Sequence, residues 1–218
     1  REVKEAVDRQ KNAELRALEA QINPHFLYNT LDSINWMVRM NRNDEVSEMI
    51  DALIMLFRIS LSKGRTFITI EEELCHVEKY FQILKIRYSR ILNYKIDVPC
   101  EIFRYTTIKM ILQPLVENAL YHGIEKKRGG GTIRVCADVK DGCLVVQVAD
   151  DGCGMTPEKL EEVQREVAGD LGQISEGGFG LPNIQKRIQL AYGADYGIHV
   201  SSRLGCGTRV TLQIPAKS

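Results

Sequence analysis

Apolar residues recur at helical spacing from the start of the chain. Residues 2–40 are helix-friendly throughout, apart from Pro24. At about 100° per residue, Leu27, Leu31, Ile34 and Val38 fall on one narrow stripe, while His25, Asn29, Asp32 and Trp36 point the other way. Upstream, Leu15, Leu18 and Ile22 lie on a different face, so the apolar seam changes register at the proline. Proline inside a helix removes a backbone hydrogen bond and clashes with the preceding turn, which predicts a kink there. His25 is therefore expected at a bend, facing away from the core. A polar turn at residues 41–44 leads into a second helix over about residues 45–62, with Val46, Met49, Ile50, Leu53, Leu56, Phe57 and Leu61 inward. Two amphipathic helices bury too little apolar surface to stand alone, and pairing two copies into a four-helix bundle would complete the core.

Gly64 ends that pattern, and Thr69 with Glu72 forms a capping box that opens a third helix reaching about Tyr88. The texture then becomes mixed. Residues 92–98 read as a strand stopped by Pro99, and residues 109–123 as a helix. Residues 133–139 and 144–149 read as a hairpin around Asp141-Gly142, a strong two-residue turn signal. Thr156-Pro157 opens a short helix, with Thr as cap and Pro at the first position. Residues 182–191 are helical, and 198–202 with 208–214 form a closing hairpin. The fold class predicted is α+β, in three parts: helices for dimerisation over 1–66, a connecting helix over 67–91, and an α/β domain over 92–218.

Charge changes the picture little. Twenty-nine basic residues balance 29 acidic ones, so there is no nucleic-acid footprint. Six cysteines (75, 100, 136, 143, 153 and 206) are scattered without a Cys-x-x-Cys pair. That predicts reduced, buried thiols in a cytosolic protein rather than a disulfide frame or a zinc site. No apolar run approaches the roughly 18–20 residues needed to cross a bilayer. The chain opens at Arg1 in charged, helix-like sequence and reads as a piece of a longer protein.

The chemistry lies in short boxes. Glu117, Asn118 and His122 on one helix offer side-chain oxygens with a possible phosphate contact close by, and Mg²⁺ on a nucleoside triphosphate prefers hard oxygens; a helix with a polar outer face would read the same. Asp150-x-Gly152-x-Gly154 follows a strand. An aspartate there can accept the amino group of adenine while the glycines let backbone approach the base, although a plain turn has the same composition. Gly178-x-Gly180 before a helix can wrap phosphates or be an ordinary loop. It is neither a dinucleotide fingerprint nor a Walker A loop, since it opens no first βαβ unit and no Gly-Lys-Ser/Thr occurs. His76 and His199 read as packed or surface residues.

The order of these boxes, with the Gly205-Cys-Gly-Thr-Arg-Val-Thr-Leu ending, resembles the GHKL (Bergerat) ATP-binding fold, an α/β sandwich. With Ile22-Asn-Pro-His-Phe-Leu-Tyr-Asn29 added, the whole chain resembles the LytS/YesM-type sensor histidine kinases. The resemblance implies a two-component protein-histidine kinase that uses ATP and Mg²⁺. It implies His25 as phosphoacceptor with Asn29 beside it, Asn118 as Mg²⁺ ligand, and His122 near phosphate. Asp150 would lie on adenine between Gly152 and Gly154, with Thr208 closing that end. Gly178, Gly180 and Leu181 would flank the phosphates, under a lid formed by residues 155–176. It also implies a homodimer at the cytoplasmic face of the membrane, anchored by sequence outside this chain, passing phosphate to the aspartate of a response regulator. Two positions depart from relatives of the fold. Phe26 stands where many histidine kinases carry an acid, and Pro114 where GHKL hydrolases carry a water-activating Glu. A GHKL ATPase, an anti-sigma serine kinase and a non-catalytic nucleotide binder are the competing readings.

Overall fold

The computed structural model describes residues 24–60, 65–169 and 180–217, with residues 24 and 25 in backbone only. The expected kink at Pro24 and the seam upstream of it lie outside the described residues. The chain divides into two compact units, residues 1–64 and 65–218.

In the first unit, α1 (Pro24–Arg39) and α2 (Asn43–Ser60) form a helical hairpin. The turn is closed by the Arg42 N–H donating to Met37 O at 3.0 Å and by Asn41 in the left-handed region (φ 56°), which Asn tolerates better than most residues. The buried residues are Phe26, Thr30 and Met37 on α1 and Met49, Ala52, Leu53, Leu56 and Ser60 on α2. The hydroxyls of Thr30 and Ser60 are satisfied by the carbonyls one turn earlier, each at 2.8 Å. This corrects the predicted seam. Leu31 is 48% exposed, and Val38 and Ile50 also face outward, while Leu27 and Ile34 are half-buried, so the Leu27–Leu31–Ile34–Val38 stripe is only partly inward in a single hairpin; Ile54, outside the predicted seam, is 51% exposed. Helical periodicity finds an apolar stripe without saying which of two apolar faces one chain covers.

In the second unit, β1 (Phe67–Thr69) pairs antiparallel with β3 (Thr106–Ile108). These three-residue strands were too short to be legible in sequence. Between them run α3 (Ile70–Arg87) and β2 (Leu92–Asp97). The capping box forms as expected: Thr69 Oγ1 accepts the Glu72 N–H at 3.1 Å and Glu72 reaches back to the Thr69 N–H at 3.0 Å. The main sheet has the order β2-β4-β5-β7-β6, using β4 (Gly131–Lys140), β5 (Cys143–Asp150), β6 (Gly197–Arg203) and β7 (Gly207–Pro215). β2 joins β4 in parallel and the remaining pairs are antiparallel. Asp141 and Gly142 both take positive φ (50° and 74°), the conformation that suits a tight hairpin turn.

Alternation along the strands packs Ile133, Val135, Leu144, Val146, Val148, Val210, Leu212 and Ile214 into the core. Helix α4 (Leu112–Asn118), α5 (Pro157–Ala168) and α6 (Leu181–Tyr192) complete the unit, with Ile184 and Ile188 of α6 buried. The helix expected over 109–123 begins only at Leu112 and then widens into a π-turn over Ala119–Ile124. Met110 in the left-handed region (φ 57°) delays its start. The six cysteines are free, and none is fully buried; Cys100 and Cys206 are exposed, against expectation, because each sits on a surface turn. Among the described residues there is no cluster of metal-binding side chains and no helix long and apolar enough to cross a membrane.

Candidate functional site

The alternation that buries Leu144, Val146 and Val148 carries one residue further, so Asp150 at the end of β5 also faces inward and is only 9% exposed. Its Oδ1 accepts the Gly152 N–H at 2.8 Å. Burial pushes the carboxyl above its ordinary pKa, opposed by backbone donors at Gly152 and Thr208. A β-carbon on Gly152 would lie 2.5 Å from that oxygen and 2.4 Å from the carbonyl carbon of Gly123, and one on Gly123 would lie 2.4 Å from the same oxygen. Gly154 is held in the left-handed region (φ 65°), where a β-carbon would also meet Arg203 O at 2.0 Å. The loop is stitched to its neighbours. The Cys153 N–H donates to Gly123 O at 3.1 Å, the Gly205 N–H to Cys153 O at 2.7 Å, and the Met155 N–H to Ser202 Oγ at 2.9 Å. Thr208 stands opposite Asp150 in the β5–β7 ladder, its hydroxyl 2.9 Å from Ser202 Oγ.

The π-turn forms the wall joined to this loop. Asn118, where α4 gives way to it, is half-buried, and its Nδ2 finds no hydrogen-bond partner among the described residues. A half-turn about the amide bond to Cβ exchanges that nitrogen for the oxygen, so the position can present a hard oxygen to a cation. The expected cluster of Glu117, Asn118 and His122 is divided. Glu117 turns to α3, where Oε1 accepts from Tyr80 Oη at 3.0 Å and from Gln113 Nε2 at 2.9 Å, because consecutive helical residues point about 100° apart. Burial raises the Glu117 pKa. His122 stands at the exposed lip, its carbonyl 3.1 Å from Cys153 Sγ. Partial burial, then the charges of Lys126 and Lys159, hold its ring below the ordinary histidine pKa. Asp151 is engaged elsewhere, accepting the Thr132 N–H at 2.9 Å and pairing with Lys127 at 3.4 Å.

Asn118, His122, Asp150, Gly152, Gly154 and Thr208 are thus carried by one connected set of elements. Gly180 is the N-terminal cap of α6 in extended conformation, its carbonyl accepting the N–H groups of Asn183 and Ile184, and Leu181 is half-buried. Gly178 lies outside the described residues. Of the expected lid over 155–176, the part up to Gly169 contains α5, capped by Thr156 and tied to β6 by Gln164 Nε2 on Val200 O at 2.8 Å; residues 170–179 lie outside the description. His25 is the second residue of α1, with its side chain outside the description, and Asn29 is half-buried one turn on. Sequence reasoning missed Gly123, Ser202, Gly207, Lys126 and Lys159. Gly123 directly follows His122 and Gly207 lies in the Gly-Cys-Gly ending, so both were readable; the others are assembled only by the fold.

Sheet, helices and glycine loops together make an α/β sandwich of the nucleotide-binding kind. Residues 104–218 match the family described as histidine kinase-, DNA gyrase B-, and HSP90-like ATPase, and residues 13–92 match the family described as histidine kinase. The chain belongs to the histidine kinase-, DNA gyrase B- and HSP90-like ATPase family, and the resemblance read from its sequence is borne out. It is 37% identical over 208 residues to sensor histidine kinase YesM of Bacillus subtilis, covering 95% of this chain and 34% of that protein. Sensor protein LytS of Bacillus cereus is 32% identical over 208 residues, with 95% and 35% covered. The chain spans about a third of the length of these relatives. Its fold is shared with the histidine kinase domain of the blue-light activated histidine kinase of Erythrobacter litoralis EL346 (TM-score 0.51, 19% identity, 96% of this chain and 94% of that one). It is shared also with the catalytic domain of histidine kinase ThkA (TM-score 0.52, 17% identity, 70% and 98%).

Proposed function

We propose that this chain is the catalytic portion of a two-component sensor protein-histidine kinase, which phosphorylates His25 from ATP and passes the phosphoryl group to an aspartate of a response regulator. One observation carries the reading: the chain joins a helix bearing Pro24-His25 to an ATPase-type domain in which Asn118, Asp150 and the 152–154 loop are intact and connected. The relatives that match across both parts are named sensor histidine kinase YesM and sensor protein LytS, which supports the same reading.

In this proposal the inward Asp150 accepts the adenine amino group, Gly123, Gly152 and Gly154 keep β-carbons out of its way, and Thr208 closes that end. His122, Lys126 and Lys159 supply donors and positive charge at the lip, where triphosphate oxygens need them. Asn118, half-buried and with its Nδ2 unpartnered among the described residues, fits a Mg²⁺ ligand through its side-chain oxygen; the ion would neutralise phosphate charge. A His25 ring nitrogen attacks the γ-phosphorus, a P–N bond forms as the bond to the ADP oxygen breaks, and the imidazole proton leaves to solvent. A neutral imidazole, pKa about 6.5 when unperturbed, is already a competent nucleophile near neutral pH. The exposed Leu31, Val38, Ile50 and Ile54 support a homodimer through the hairpin. Attachment to the cytoplasmic face of a membrane would come from sequence outside this chain.

The test is incubation with ³²P-labelled ATP. Label that is acid-labile and alkali-stable, and lost in His25→Gln with nucleotide affinity unchanged, is the expected result. Label persisting in His25→Gln overturns the acceptor.

A further inference from the structure

The helix that ends in Asn118 has only seven residues, too short to hold its own orientation. It is gripped at both ends by α3. At its start, the fully buried carboxylate of Glu73 accepts three successive backbone N–H groups: Met110 at 2.9 Å, Ile111 at 2.7 Å and Leu112 at 2.8 Å. The N–H groups of Ile111 and Leu112 are donors that a helix N-terminus leaves unsatisfied, and the side chain of the N-cap, Ile111, meets neither. At its end, Tyr80 Oη, also fully buried, donates to Glu117, the residue before Asn118. Glu73 and Tyr80 are two turns apart on one face of α3. The second grip falls where the backbone is least able to fix direction by itself. After Asn118 the ladder widens to π spacing, with the Glu125 N–H reaching back to Leu120 O, and such widening leaves a local break in the regular helical bonding.

We propose that Tyr80 and Glu117 are positioning residues for Asn118, and that α3, through Glu73 and Tyr80, sets how Asn118 meets the metal-bound nucleotide. This rests on the assignment of Asn118 as the Mg²⁺ ligand. Glu117 acts here as an acceptor for Tyr80 and not as a base or a ligand. Because α3 follows directly on β1 and the end of the hairpin unit at Gly64 in sequence, a rotation of α3 reaches Asn118 without passing through the sheet.

The experiment measures binding of ADP to the full chain at fixed nucleotide while Mg²⁺ is varied, and again in EDTA, for wild type, Asn118→Asp, Tyr80→Phe, Glu117→Leu and Glu117→Gln. Tyr80→Phe and Glu117→Leu should each raise the Mg²⁺ requirement about 10-fold, the scale of effect of groups that orient a metal ligand. Binding in EDTA should not change, and the double variant should be no worse than either single one. Glu117→Gln keeps an acceptor for Tyr80, and its new amide can donate to Gln113 Oε1, which is buried without a partner among the described residues; it should stay within about twofold of wild type. A loss of stability alone moves melting temperature and not the Mg²⁺ requirement. Wild-type Mg²⁺ dependence in Tyr80→Phe overturns the proposal, as does a Glu117→Gln loss equal to that of Glu117→Leu, which would make Glu117 act by charge. If Asn118→Asp leaves the Mg²⁺ dependence unaltered, it is the ligand assignment that has failed.

Discussion

Gly123 and Asp150 approach so closely that a single methyl group cannot stand between them: a β-carbon on Gly123 would lie 2.4 Å from Asp150 Oδ1. Gly123→Ala should therefore displace the carboxylate or the π-turn and reduce adenine nucleotide affinity by at least about 10-fold, the scale of one lost charge-assisted hydrogen bond. Calorimetric titration with ADP checks this, with circular dichroism as control for folding. Unchanged affinity would remove Asp150 from the base-binding wall.

The outward apolar residues of the hairpin predict association. The wild-type chain should be dimeric at micromolar concentration, and the pair Leu31→Asp with Ile54→Asp should be monomeric, because each places a charge on a face that is already exposed in a single chain. Light scattering coupled to size-exclusion chromatography reads the outcome. Helicity should be retained, since neither side chain belongs to the hairpin's buried set. A dimer that survives both changes would assign association to another surface.

Acid should destabilise the domain through His76. Its ring is buried on α3, and burial, aided by the positive charge of Lys109, lowers its pKa to about 4. An unfolded chain titrates near 6.5, so between pH 6.5 and 4 the unfolded state binds a proton that the folded state does not. Stability therefore falls with acidification across that window, by roughly 3 kcal/mol from this one group. His76→Gln should flatten the fall in melting temperature between pH 6.5 and 4.5. Parallel curves for the two proteins would refute it.

Turnover should depend on His25 rather than on water. Pro114 is buried in α4 and offers no base, at the position where the sequence resemblance would put one in a hydrolase. Glu117, the nearest other acid in sequence, has the oxygen nearest its neighbours engaged by Tyr80 and Gln113. His25→Ala should bring phosphate release to background while ADP still binds. Sustained hydrolysis by that variant would favour an ATPase.

Local signals were readable wherever one segment carries its own reason. The Thr69–Glu72 box, the Asp141-Gly142 turn and the Thr156-Pro157 helix start each formed as expected, because cap and turn chemistry acts within four residues. The turn that sets Gly152 against Asp150 is local in the same way. What failed depends on distant partners. The face α1 buries is decided by α2, so Leu31 misled and Met37 was passed over. The late start of α4 is decided by Glu73 and by Arg187, whose guanidinium donates to Met110 O at 3.0 Å and thereby steadies a strained backbone. Neither residue is near it in sequence.

The cap that Glu73 places on α4 also governs how the domain comes into being. A carboxylate taken fully out of water is tolerated because backbone donors from nearly forty residues downstream surround it. Until those segments meet, the short helix lacks an acceptor for its first N–H groups and the Glu73 carboxylate is better off in water, so each favours the other's placement. Docking of α3 and the start of α4 are thus expected to be lost together as the domain is unfolded.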